Sequence, residues 1–282
     1  MTDPDEQRAE LLDGWDRAAA GWKARADYVQ QFGMPVSAWL IDALALQPGE
    51  SVLELAAGPG DTGFLAAELV SPGGTVISSD GSEAMLDTAR ERAAARGVLN
   101  VEFKQLQLEW IDLPTASVDK ALCRWGVMLT VDPAAALREA RRVVKPGGRY
   151  ALSVWDAADQ NPWATIPGRS LVEAGLVAPP DPSAPGMFAL SAPGLLDQLL
   201  RDAGFVEATV DAVVLDRPYE SLDRYLEIQL DIARPFREAL EPLAADEREG
   251  VLARVRALAG PYTRADGSVL FPGRSLVAVA GA

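Results

Sequence analysis

Residues 51–63 read Ser51-Val52-Leu53-Glu54-Leu55-Ala56-Ala57-Gly58-Pro59-Gly60-Asp61-Thr62-Gly63, a β-rich run that breaks into a Gly-x-Gly-x-x-Gly turn and reopens as a helix through Phe64, Leu65 and Leu69. Glycines in such a turn let the backbone approach a ligand, and the helix start behind them presents unpaired N–H groups. A second β-rich run, Thr75-Val76-Ile77-Ser78-Ser79-Asp80, ends on a carboxylate 22 residues after Gly58. An acid there accepts hydrogen bonds from ribose hydroxyls, so the pair points to an adenosine-containing cofactor without saying which.

The same alternation continues outward. Ser82 opens a helix carrying Met85, Leu86 and Ala89; Asn100 to Leu106 and Val118 to Cys123 read as the third and fourth strands. A helix begins at Asp132-Pro133 and ends at Lys145-Pro146-Gly147-Gly148, which places the start of a fifth strand near Arg149. Alternating strands and helices predict parallel βαβ units. Residues 49–155 form this core, preceded by two helices over 1–48, the first carrying Trp15 and Trp22. Proline-rich residues 156–190 read as an irregular lid. In 191–282 a helix (Pro193 to Ala203) and a strand (Val206 to Leu215) precede a helical cap at about 219–262, and Val269 to Val279 is the final strand, interrupted by Pro272-Gly273.

Composition removes whole classes of chemistry. The 282 residues include no His and one Cys, so there is no Ser-His-Asp triad, Cys/His zinc site or disulfide framework, and no metal is expected. With 26 Lys+Arg against 41 Asp+Glu, the net charge of −15 repels phosphate backbones and anionic lipid. No apolar run approaches membrane-spanning length, and the opening residues are acidic where a signal peptide is basic; a soluble, cytoplasmic protein with neither nucleic-acid nor membrane partners is expected.

Two local charges weigh against a dinucleotide: Glu54, close to where a pyrophosphate sits, and Asp61 at the helix start. Val52 to Gly60 resembles the first motif of class I S-adenosylmethionine-dependent methyltransferases, and Asp80-Gly81-Ser82-x-x-Met85-Leu86-x-x-Ala89 resembles their second. Val118-Asp119, Ala135-Ala136-Leu137-Arg138-Glu139 and Arg142-Val143-Val144-Lys145-Pro146-Gly147-Gly148 resemble the later motifs, in order, over about residues 35–155.

The resemblance implies a Rossmann-like, doubly wound α/β fold whose mostly parallel seven-stranded sheet has an antiparallel last strand, with the cap inserted between the last two strands. It implies S-adenosylmethionine as cofactor and S-adenosylhomocysteine as product. Carried over residue by residue, Glu54, Ala56, Gly58 and Gly60 lie against the methionine part, with Glu54 near its ammonium, and Asp80 takes the ribose. Gln107 stands where the family usually has an acid for the adenine amino group, with the Leu108 N–H beside it. Gly81 replaces a larger aliphatic residue over the adenine face, leaving Met85 or Trp110 to cover it. Cys123, Arg124 and Trp125 face the methionine part and the acceptor, with Arg124 placed for the cofactor carboxylate. Trp15 and Trp22 read as a core stripe more readily than as a lid, although N-terminal helices in this family often cover the cofactor.

In-line methyl transfer needs alignment more than acid or base. An alcohol acceptor would need a carboxylate, for which Asp156 and Glu227 are candidates. The acceptor is expected to be a small molecule held by lid and cap near Trp163, Phe188, Tyr219, Tyr225 and Phe236. Whether O, N or C is methylated stays open, as does the choice between monomer and homodimer. Two other readings remain: an NAD(P)-dependent oxidoreductase on the same turn, and a non-catalytic module of the fold.

Overall fold

The computed structural model describes residues 3–181 and 184–282; Pro182 and Ser183 of the proline-rich stretch lie outside it, as do Met1 and Thr2. Two long helices, α1 (Pro4–Ala24) and α2 (Ala26–Leu44), precede the core. Then β1 (Ser51–Leu55), α3 (Asp61–Leu69), β2 (Thr75–Asp80), α4 (Glu83–Arg96), β3 (Val101–Gln105), β4 (Val118–Arg124), α5 (Pro133–Val143) and β5 (Val144–Trp155) alternate. After α6 (Pro162–Glu173), α7 (Leu195–Asp202) and β6 (Val206–Val214) come β7 (Arg217–Tyr219), the cap helices α8 (Leu222–Ile232), α9 (Arg234–Leu240) and α10 (Ala245–Ala259), then β8 (Val269–Phe271) and β9 (Arg274–Gly281).

The main sheet has seven strands in the order β3-β2-β1-β4-β5-β9-β6, with β9 antiparallel to both neighbours. Helices on both faces bury the central strands, so Val52, Leu53, Ala121, Leu122, Ala151 and Leu152 are fully enclosed. Strand order reverses between β1 and β4, and ligands of open α/β sheets bind in the crevice at the carboxyl ends of strands at such a point.

Three stretches of the chain differ from the sequence expectation. The final strand is two strands: β8 pairs with β7 in a small separate sheet, and only β9 joins the main one. Pro272 has no N–H to donate, and the Gly273 carbonyl accepts from Leu215 N–H at 2.7 Å, turning the chain between sheets. The fifth strand begins at Val144, not Arg149, with a register irregularity that absorbs Pro146 and the left-handed Gly147 (φ +78°).

The stretch 156–190 is not wholly irregular, because α6 lies in it and buries Trp163, Ile166 and Leu171. Pro162 needs no N–H donor in the first turn. Pro167, inside the helix, leaves the Trp163 carbonyl without its intrahelical donor, and the Tyr225 hydroxyl replaces it at 2.7 Å. Among the described residues, no helix is long and apolar enough to cross a membrane.

Candidate active site

A cavity of about 150 Å³ lies over the carboxyl ends of β1, β2 and β4, with α1 as its roof. Its floor is the glycine turn. Ala56 (φ +51°) and Gly58 (φ +52°) are both left-handed, and the space where a Gly58 side chain would project is open. Asp80 ties this floor to the next strand: Oδ2 accepts from Gly58 N–H at 2.8 Å and Oδ1 from Ser82 N–H at 2.9 Å. Burial raises its pKa, and these backbone donors oppose the rise.

Of the residues expected to hold the cofactor, Ala56, Gly58, Asp80, Gly81, Met85, Gln107, Leu108 and Arg124 line the cavity. Glu54, Gly60 and Cys123 do not. Glu54 is buried behind the turn, where Oε1 accepts from Gly63 N–H at 2.7 Å and Oε2 from the Ser78 hydroxyl at 3.0 Å. A side chain on Gly63 would run into this carboxylate, so the third glycine of the turn serves Glu54 rather than a ligand. Desolvation pushes Glu54 up to about 7, against these two hydrogen bonds and Arg124. Gly60 starts α3 in a left-handed conformation (φ +86°) with the Phe64 ring against it. Cys123 is fully buried, and burial raises its thiol to about 12.

The two candidate bases lie elsewhere. Asp156 caps its own loop through Ala157 N–H (2.7 Å) and pairs with Arg274 (3.2 Å). Glu227 is exposed on the cap and pairs with Arg25 (2.6 Å) and Arg224 (2.7 Å).

The roof is what the sequence understated. Leu11, Leu12, Trp15 and Trp22 of α1 line the cavity, so the two tryptophans are not merely a core stripe. They meet edge to face, with centroids 5.6 Å apart. A side chain on Gly81 would come within 2.5 Å of Leu12 Cδ2, so Leu12 occupies the place that the missing side chain vacates. That missing side chain was the available signal for a covering residue from another element. Met85 also lines the cavity, whereas Trp110 is 76% exposed and does not. Two polar ties hold α1 down: Arg8 donates to Glu109 Oε1 (3.0 and 3.1 Å), and Ser82 donates to Asp16 (2.5 Å).

The wall beside β4 carries the positive charge. Arg124 is nearly buried, 3.5 Å from Asp61 and 5.0 Å from the Trp125 ring centroid, and burial lowers its pKa. Three buried polar atoms around the cavity make no hydrogen bond: Arg124 Nη1 and Asp61 Oδ2, the latter facing Arg124 Nη2, and Trp22 Nε1 of the roof. Such atoms are uncommon in folded proteins. Trp125 adopts φ +59°, unusual for a bulky residue, anchored by its indole N–H to Ser275 Oγ at 2.9 Å.

A family model described as a methyltransferase domain matches residues 46–175. The chain is similar to the ubiquinone/menaquinone biosynthesis C-methyltransferase UbiE of Pasteurella multocida, 31% identical over 64% of this chain and 73% of that protein. It is also similar to the nocamycin O-methyltransferase of Saccharothrix syringae, 33% identical over 63% and 66%. Other curated relatives, 36 to 41% identical, are spanned over less than half their length. Among solved structures, the YcgJ protein of Bacillus subtilis superposes with a TM-score of 0.57 at 19% identity, covering 87% of this chain and 97% of that one, a likeness of fold.

Proposed function

Since the chain belongs to the class I S-adenosylmethionine-dependent methyltransferase family, we propose that it transfers a methyl group from S-adenosylmethionine to a small-molecule acceptor. One observation carries this reading: a single cavity joins a ribose-type carboxylate, Asp80, to a nearly buried cation, Arg124. Those are the two polar ends that an adenosyl amino acid presents.

The residues present fit that group. Asp80 keeps lone pairs beyond its two backbone bonds for the ribose hydroxyls, and the Gln107 side-chain oxygen accepts from the adenine amino group beside Leu108 N–H. Leu12 and Met85 cover the adenine. Arg124 takes the amino-acid carboxylate, and the Ala56 to Gly58 backbone lies along the chain between the two ends. Glu54 holds the turn in shape through Gly63 and acts as a positioning residue. The chemistry supplied by the bound cofactor would be a methyl group on a sulfonium, passed to an electron pair of the acceptor as the carbon–sulfur bond breaks and S-adenosylhomocysteine forms.

The chain's own part is to align the reactants and keep out water, which the α1 roof serves. The carboxylates lining the cavity are Asp80 and Glu109, and Glu109 is engaged by Arg8 and by Asp132 N–H at 2.8 Å. With no unengaged carboxylate facing the cavity among the described residues, the acceptor is one that is already nucleophilic, such as an amine, a phenolate or an activated carbon.

The test is thermal unfolding with S-adenosylmethionine, S-adenosylhomocysteine, NAD and NADP in parallel. At a hundred times its dissociation constant a ligand stabilises by about 2.7 kcal/mol, roughly 5 to 10 °C here. A rise with the two adenosyl ligands alone is expected; a rise with NAD or NADP alone refutes the reading.

A further inference from the structure

Behind Trp125 the protein buries a second cation. Arg217, the first residue of β7, is 1% exposed. Its guanidinium carbon lies between two rings, 3.8 Å from the Phe32 centroid and 3.6 Å from that of Trp163, with Tyr28 at 5.6 Å. Nη2 reaches the hydroxyls of Tyr28 (2.6 Å) and Tyr219 (3.2 Å), while Nε and Nη1 have no hydrogen-bond partner. Among the described residues, no carboxylate forms an ion pair with it.

A guanidinium does not discharge by losing its proton, and a buried charge without a counter-charge is costly. The ring faces recover part of that cost. Tyr219 does not supply the anion, because burial raises its hydroxyl well above its ordinary value. The arrangement is a cation with donors to spare, held in an aromatic cage.

The cage shares a wall with the cavity. Phe32 stacks on Trp125 at 5.6 Å and 18°, and Trp125 stacks on Trp155 at 4.3 Å and 15°. Trp155 meets Trp163 edge-on at 5.0 Å. Trp125 therefore faces the cavity while packing against the cage, and its left-handed backbone puts the shared wall on a strained residue.

We propose that Arg217 is the charge-reading residue of the acceptor site and that the acceptor is an aromatic carboxylate whose amine, phenolate or activated ring carbon takes the methyl group while its carboxylate is held by Arg217. The ring lies in the cavity against Trp125, which moves aside so that the carboxylate reaches the spare donors of Arg217 in a cage already filled by Phe32 and Trp163. A planar fork with more than one free N–H suits the two oxygens of a carboxylate better than a single phenolate oxygen. This assignment rests on the methyltransferase reading above.

The experiment is calorimetry on the full chain saturated with S-adenosylhomocysteine. The probes are benzoate, salicylate, 1-naphthoate, 2-naphthoate and indole-3-carboxylate, each compared with its own carboxamide. At least one carboxylate is expected to bind ten times more tightly than its amide, and Arg217→Met to abolish that preference while S-adenosylhomocysteine affinity stays within twofold. No binding by any probe, equal binding of acid and amide, or a preference that survives Arg217→Met overturns the proposal. The comparison of acid with amide uses the unaltered chain, so it stands even where the variant folds poorly. If S-adenosylhomocysteine itself fails to bind, the methyltransferase reading has failed; if it binds and the probes do not discriminate, the Arg217 assignment alone has failed.

Discussion

Replacing Glu54 by Gln tests whether the acid of the glycine turn is a buried structural group. In the native chain its carboxyl is pushed up to about 7 from an ordinary value of 4.5, chiefly by desolvation. A folded-state value above the unfolded one means that the unfolded chain releases its proton first. The stability contributed by protonated Glu54 is fully present below about pH 4.5, falls between about 4.5 and 7, and levels off above. The full loss is about 3 kcal/mol. Gln keeps an oxygen for Gly63 N–H and cannot ionise, so the variant lacks this pH dependence. Urea unfolding of both proteins at half-unit steps from pH 4 to 8.5 isolates the effect, because every other titrating group cancels in the difference. The variant is expected to gain on the parent by about 3 kcal/mol across that window. Parallel curves would refute the reasoning, since Glu54 would then ionise as freely in the fold as outside it.

The roof is tested by a pair of substitutions: Leu12→Ala is expected to weaken S-adenosylhomocysteine by about 1 kcal/mol, roughly fivefold, for the apolar cover it removes. Gly81→Leu alone should displace α1 and weaken binding further, and the double variant should recover affinity relative to Gly81→Leu; a merely additive cycle in calorimetry would argue against Leu12 filling that space. Cys123, buried with its thiol raised to about 12, is expected to resist a disulfide reagent in the native state and react fully after unfolding. Glu227→Gln should leave turnover within twofold, measured with any accepted substrate, because its carboxylate is on the cap surface and outside the cavity lining.

Much of the cofactor half was legible because it is local. The run from Val52 to Gly60, with Asp80 at the end of the next strand, fixes a turn and a carboxylate through adjacent parallel pairing, and the cavity holds both ends. What the sequence concealed depends on which elements meet. Glu54 sits beside Ser78 on the neighbouring strand and points behind the turn, and no residue-type argument distinguishes that from an orientation toward a ligand. The pattern of α1 gives an apolar face but not what it covers; only the side chain missing at Gly81 hinted at Leu12. Proline at 162 and 167 suggested irregular chain, yet one stands where a helix needs no donor and the other is relieved by Tyr225 from the cap. Arg217 was not singled out at all, since a lone arginine between Asp216 and Pro218 gives no sign of the rings that enclose it.

The central claim is that Asp80 anchors an adenosyl cofactor at the switch point between β1 and β4, and titration calorimetry with S-adenosylhomocysteine on the parent and on Asp80→Ala tests it most directly. One molecule is expected to bind per parent chain, with a loss of at least about a hundredfold in the variant, as for two charge-assisted hydrogen bonds, and an unchanged circular dichroism spectrum. Equal affinity in the two proteins, or no binding to the parent, would contradict the claim.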